Sequence, residues 1–142
     1  MSNITPVVYR GRSLGTILLT AAQLLVGTIH VFFGLWLFVS GSLADSALFV
    51  QFTLVYSVYT LVFGLLTLVF TVEIWLISRW GWVGTFAVSI FVIIADALTL
   101  LDLPSILGIP KAAAVPEIIY SVLVLLYLSQ TQVRNKFLNE LR

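Results

Sequence analysis

The residues of this sequence best suited to chemistry are one histidine and two acidic residues that stand inside long apolar segments. They are His30, Asp96 and Glu117. An ionisable side chain that faces lipid is costly, so we expect all three to face inward and to find partners. An imidazole beside a carboxyl group can share a proton with it and pass that proton on. The predicted chemistry is therefore proton transfer inside the apolar part of the protein.

The depth of these residues along their helices supports one common site. Counting about 1.5 Å per residue from the middle of each predicted helix places His30, Asp96 and Glu117 roughly 5 to 7 Å toward the outer face. Tyr59 and Tyr120 fall near the same level. Neighbouring helices are expected to run in opposite directions, so chain spacing alone does not impose this coincidence. We therefore predict a buried polar cluster in which His30 hydrogen-bonds to Asp96, Glu117 or both.

Four apolar segments must position these residues, and each approaches or exceeds the length of a membrane span, which is about 20 residues. Hydrophobic residues make up 61% of the chain and charged residues 9%, whereas soluble domains carry about 25% charged residues. Lipid must therefore solvate much of the surface. We predict a single all-α transmembrane domain over residues 1–142. The predicted helices cover residues 14–39, 48–76, 82–103 and 112–129, followed by an interfacial tail over 130–142.

Basic residues predict the orientation of the chain. Six of the seven Lys and Arg residues lie before the first helix, between the second and third, or after the fourth, whereas Lys111 lies between the third and fourth. The positive-inside rule then places both termini in the cytoplasm of a multi-pass cell-membrane protein. The short loops predict four antiparallel helices in an up-down bundle. Val133, Phe137 and Leu141 recur at every fourth position, which predicts an amphipathic helix on the cytoplasmic surface.

Two local features bear on the helix ends. Residues 78–81 (Ser-Arg-Trp-Gly) are expected to form a tight hairpin between the second and third helices. Pro116 lies inside the fourth apolar segment, so that helix is expected either to start there or to kink there.

Small and hydroxyl-bearing residues follow one face of each of the first three helices, at alternating spacings of three and four. Such faces let membrane helices approach closely and hydrogen-bond to one another. We interpret these faces mainly as a helix-packing seam. The predicted seam consists of Gln23, Gly27, Gly34, Ser57, Thr60, Gly64, Thr67 and Ser89.

Several classes of site are disfavoured by composition. The chain has no cysteine, which excludes disulfide exchange, thiolate metal sites and iron–sulfur clusters. It has one histidine and no HxxxH or ExxH pair, whereas most comparable metal sites use two or more histidines. We therefore expect no metal and no cofactor. No basic run is present, so we expect no nucleic-acid partner.

Two segments carry a resemblance. Residues 65–84 (LLTLVFTVEIWLISRWGWVG) and 125–137 (LLYLSQTQVRNKF) resemble a loose group of small four-helix membrane proteins of archaea and bacteria whose function is unknown. The shared features are a second helix that runs into a "WGW" hairpin and a closing helix that ends in a YL…V+..F pattern. The resemblance implies the same four-helix topology and implies no catalytic residue.

Three functions are compatible with these patterns. The first is a non-catalytic structural or accessory subunit of a larger membrane complex, or a homo-oligomer, because no segment is long enough for a soluble domain. Its partners would be the lipid bilayer and other membrane subunits or copies of itself. The alternative is a minimal proton relay, an ion or small-molecule transporter, or a quinone-site protein that uses His30, Asp96 and Glu117. The second alternative is a membrane-embedded enzyme, for which no catalytic residue is evident.

Overall fold

A computed structural model of the chain describes residues 13–42, 47–106 and 109–138, and this part of the chain forms five α-helices and no β-strand. Four of the helices are long and apolar enough to cross a membrane. The predicted all-helical class with four candidate spans is therefore confirmed. The helices are α1 (Leu14–Ser42), α2 (Ala47–Trp75), α3 (Arg79–Leu100), α4 (Lys111–Ser129) and α5 (Thr131–Leu138).

The connection between α2 and α3 is shorter than the predicted hairpin. Ile77 has a positive φ of 58°, and the N–H of Ser78 donates to the Glu73 carbonyl over 2.9 Å, which closes α2 with a Schellman turn. The Ser78 hydroxyl then accepts the N–H of Trp80 over 3.1 Å as the N-cap of the next helix. One serine thus ends α2 and caps α3. The predicted start of the third helix at residue 82 is wrong, because α3 begins at Arg79.

Two other helix ends differ from their predicted positions by three residues each. α1 continues to Ser42, three residues beyond its predicted end. α3 ends at Leu100, three residues early, because Asp102 adopts the left-handed conformation at a φ of 56°. The N–H of Leu103 then donates to the carbonyl of Leu98 over 3.0 Å, again as in a Schellman turn. Aspartate tolerates this conformation better than most side chains.

Pro116 does not start the fourth helix. α4 begins at Lys111 and runs through Pro116 to Ser129. Proline lacks an N–H, so the only backbone donor lost is the one that would have bonded to the Ala112 carbonyl. That carbonyl lies in the first turn of α4, near the groove described below.

Packing is uneven around the four long helices. α1 packs closely along α2, α3 packs against both α2 and α4, and the backbones of α1 and α4 stay apart over most of their length. α1 and α2 approach each other closely at Gly64, where an added Cβ would lie 2.8 Å from the backbone nitrogen of Val31. Backbone contact of this kind requires glycine. On the opposite side, side chains bridge α1 and α4, as where the Tyr127 hydroxyl lies 3.3 Å from Thr16 Oγ1.

α5 folds back onto one end of the long helices. The side chain of Phe137 is 1% exposed and that of Val133 is 6% exposed. Both pack in an apolar cluster with Leu128 of α4 and Ile74 of α2. The predicted amphipathic helix is therefore present and its apolar face packs against protein, while its position at the membrane surface stays a prediction. Residues 139–142, including Leu141 of the predicted face, lie outside the described residues.

Candidate functional site

The candidate site is a contact between α1 and α4. His30 Nε2 lies 3.5 Å from Glu117 Oε1, and the two side chains are 16% and 15% exposed. The other ring nitrogen, Nδ1, lies 2.8 Å from the carbonyl oxygen of Val26. A carbonyl oxygen can only accept, so Nδ1 must carry a proton and donate it. This bond fixes the ring orientation and aims Nε2 at the carboxyl group.

The geometry therefore fixes how many protons the pair holds. With Nδ1 protonated, a hydrogen bond between His30 Nε2 and Glu117 Oε1 requires one proton between these two atoms. The pair is then either imidazolium with carboxylate or neutral imidazole with carboxylic acid. Both forms have zero net charge, which is the state favoured in an apolar environment.

A groove of about 240 Å³ exposes this pair at the surface between α1 and α4. The groove exists because the two backbones stay apart, and its walls are mostly apolar. The edge of the Phe63 ring packs on the His30 ring, with centroids 4.7 Å apart and an interplanar angle of 76°. The lining side chains are Val26, His30, Phe63, Ala113, Pro116, Glu117 and Tyr120.

Asp96 belongs to the same region but forms no hydrogen bond with the pair. Its side chain is fully buried, and neither carboxyl oxygen has a hydrogen-bond partner among the described residues. It interacts electrostatically with His30 and Glu117. Of the two predicted partners of His30, the structure therefore brings Glu117 into contact and leaves Asp96 apart.

The two tyrosines of the predicted cluster line two different grooves. Tyr120 lines the groove with His30 and Glu117. Tyr59 instead lines a second, apolar groove of about 410 Å³ between α2 and α3. The Phe63 side chain lines both grooves and separates them. Neither tyrosine hydroxyl has a hydrogen-bond partner among the described residues.

The predicted seam residues are buried between helices, but most of their polar bonds are local. The hydroxyls of Ser57 and Thr60 donate to carbonyls of their own helix over 2.8 Å. Gln23 is the exception, since its Nε2 donates to Thr85 Oγ1 of α3 over 3.1 Å. Thr67 and Ser89 are buried. At the glycines the helices touch, with added Cβ atoms of Gly27, Gly34 and Gly64 all falling within 3.2 Å of backbone atoms of the neighbouring helix.

Three side chains of the site were not singled out from the sequence. They are Val26, Phe63 and Ala113, which line the groove. Phe63 follows Tyr59 by four positions, which placed it on the same helical face, but an apolar residue in an apolar helix gives no distinguishing signal.

The acidic residues and the histidine do not assemble a metal site in the described part of the chain. No group of three or more His, Cys, Asp or Glu side chains there could hold a metal ion. The site is the His30–Glu117 contact beside the buried carboxyl group of Asp96.

Comparison with known proteins identifies no relative of this chain. The chain matches no protein family, no curated protein and no solved structure. The resemblance of residues 65–84 and 125–137 to small four-helix membrane proteins therefore stays a prediction. The class that the fold defines is an all-helical chain with four candidate membrane spans.

Proposed function

We propose that the chain is a multi-pass protein of the cell membrane, in which four antiparallel helices form an up-down bundle with both termini in the cytoplasm. Four helices of sufficient length and hydropathy support the multi-pass architecture. The position of six of seven basic residues on one side supports the orientation. In this orientation the His30–Glu117 pair lies in the outer half of the membrane.

We propose further that the groove between α1 and α4 binds a lipid-soluble molecule with a polar, ring-sized headgroup, as in the quinones. The observation that carries this proposal is the His30–Glu117 contact at the wall of an otherwise apolar groove. A volume of about 240 Å³ is below the roughly 300–1,000 Å³ of pockets that enclose drug-sized ligands. It therefore suits a headgroup whose apolar tail stays in lipid. The polar atoms of the headgroup would form a hydrogen bond with the pair.

We expect Glu117→Gln to weaken binding of a quinone by about tenfold or more, because a hydrogen bond to a charged group contributes about 1.5–3 kcal/mol. The probe is a short-chain benzoquinone that carries a photoreactive azide, added to the full chain in lipid nanodiscs. Labelled peptides are identified by mass spectrometry, and affinity is measured from the concentration dependence of labelling. The wild type should be labelled on the peptides that contain His30 and Ala113.

The matched control is Glu73→Gln, which makes the same chemical change on α2 at a glutamate that does not line the groove. Its affinity should equal that of the wild type. Equal loss in both variants, or labelling confined to helix faces outside the groove, would contradict quinone binding at this site.

A second candidate is a non-catalytic accessory subunit or a homo-oligomer, in which the helix of a partner or of a second copy fills the same groove. The supporting observation is the exposed aromatic surface of α1. Phe32 is 70% exposed and Trp36 is 61% exposed, and Phe33 stacks on Trp36 with ring centroids 5.7 Å apart. Aromatic side chains of this kind are common in the buried parts of protein interfaces.

A thiol placed in the groove separates the two candidates, since the chain has no cysteine of its own. We expect Ala113→Cys, treated with a short bismaleimide in native membranes, to stay a single chain if the groove holds a small ligand. A product of twice the chain mass would indicate a homo-oligomer, and a larger product with another protein would indicate an accessory subunit. Ala21→Cys, exposed on α1 away from the groove lining, serves as the control for random collision.

A further inference from the structure

A small polar cavity lies in the interior, behind the groove. Its volume is about 10 Å³, which is close to the space that one water molecule needs. Side chains from all four long helices line it, and most of them are polar. The polar members are Gln23, Thr67, Thr85, Ser89, Tyr120 and Ser121.

Two of the lining groups lack a hydrogen-bond partner in the described part of the chain. They are Gln23 Oε1 and the Tyr120 hydroxyl. The Gln23 amide nitrogen already donates to Thr85 Oγ1 over 3.1 Å, so the carboxamide is oriented and its oxygen is left to accept. Gln23 is 2% exposed. Buried polar atoms are nearly always hydrogen-bonded, to protein or to ordered water.

We propose that this cavity is a built site for one water molecule. The water donates one hydrogen to Gln23 Oε1 and forms a second hydrogen bond with the Tyr120 hydroxyl. The neighbouring hydroxyls of Ser121 and Ser89 lie on the same cavity wall and complete the two to four partners that a buried water requires. The site also explains why a glutamine stands in the apolar interior of α1, beyond its contact with Thr85.

Tyr120 connects this site to the groove, because its side chain lines both cavities. The water site itself does not rest on the proposed function of the groove.

X-ray hydroxyl-radical footprinting of the full chain in detergent tests the site, because radiolysis of a bound water oxidises the side chains that touch it. We expect Tyr120 to be oxidised at least about threefold faster than Phe137, which is 1% exposed in an apolar cluster. Ser121→Val fills the cavity and should lower the oxidation of Tyr120 at least about threefold, and the oxidation that remains comes from the part of Tyr120 that lines the groove. Ser121→Ala keeps the space and should retain most of the Tyr120 oxidation.

The readouts separate the water site from the function of the groove. Tyr120 oxidation no faster than that of Phe137 in the wild type would overturn the water site, as would unchanged oxidation in a folded Ser121→Val variant. If that variant does not fold, Gln23→Leu removes the acceptor and should cause the same loss. Wild-type protein that shows fast Tyr120 oxidation but no quinone labelling would overturn the groove function and support the water site.

Discussion

Gly64→Val should lower the free energy of unfolding by about 3 kcal/mol, the upper end of the cost of overpacking a close-packed interior. A Cβ at this position would lie 2.8 Å from the backbone nitrogen of Val31 and 3.0 Å from the carbonyl oxygen of Gly27. Both neighbours are backbone atoms of α1, so no change of rotamer relieves the clash. The two helices must separate, and the contacts along their common face weaken with them.

The measurement is the apparent unfolding free energy in mixed detergent micelles, followed by tryptophan fluorescence. Ala21→Val adds two methyl groups to an exposed position of α1 and should change stability by less than about 0.5 kcal/mol, as surface substitutions usually do. A Gly64→Val variant as stable as Ala21→Val would show that α1 and α2 do not meet at this glycine.

The glycines illustrate what the sequence predicted of the fold. Their spacing identified the faces of α1 and α2 that pack, since small residues on one helical face permit close approach. The pattern did not identify which helix each face meets. Nor did it predict the polar bonds of Ser57 and Thr60, because a serine or threonine in a helix can donate to its own preceding turn as readily as to a neighbour.

The same ambiguity affected the closing helix. The spacing of Val133 and Phe137 predicted an amphipathic helix, and α5 is one. An amphipathic pattern is identical whether its apolar face meets lipid or protein. The difference depends on the break after Ser129, where Gln130 leaves helical geometry with a ψ of 130°. That change of direction folds α5 back onto Leu128.

The sequence predicted the depth of the site residues along their helices, but it did not predict the direction in which each side chain points. Counting residues along each helix gives the depth of a side chain, and that depth placed His30 near Glu117. The rotation of each helix about its axis depends on tertiary packing, which a residue count does not contain. Asp96 therefore shares the region of the pair without a hydrogen bond to it. The groove could not be predicted from the sequence either, because it depends on the separation between the backbones of α1 and α4.

Asp96→Val should raise the free energy of unfolding by about 1–3 kcal/mol, the usual cost of a buried polar group left without a partner. This cost applies in full to Asp96, because its side chain is completely buried and its two oxygens have no hydrogen-bond partner among the described residues. Buried charged groups replaced by apolar residues often leave a protein as stable or more stable. Retention of such a residue at a cost in stability is expected at a functional position.

Two further variants show whether a change in the stability of Asp96→Val comes from the lost carboxyl group or from the changed side-chain volume. Asp96→Asn keeps the shape of the side chain but has no ionised form, so it separates charge from volume. Asp102→Asn removes a carboxylate whose side chain is 78% exposed and should change stability by less than about 0.5 kcal/mol. If both substitutions at Asp96 destabilise the protein while Asp102→Asn does not, the buried carboxyl group has a bound partner and contributes to folding. A stabilised Asp96→Val variant that also loses quinone labelling would instead assign this carboxyl group to the function of the groove.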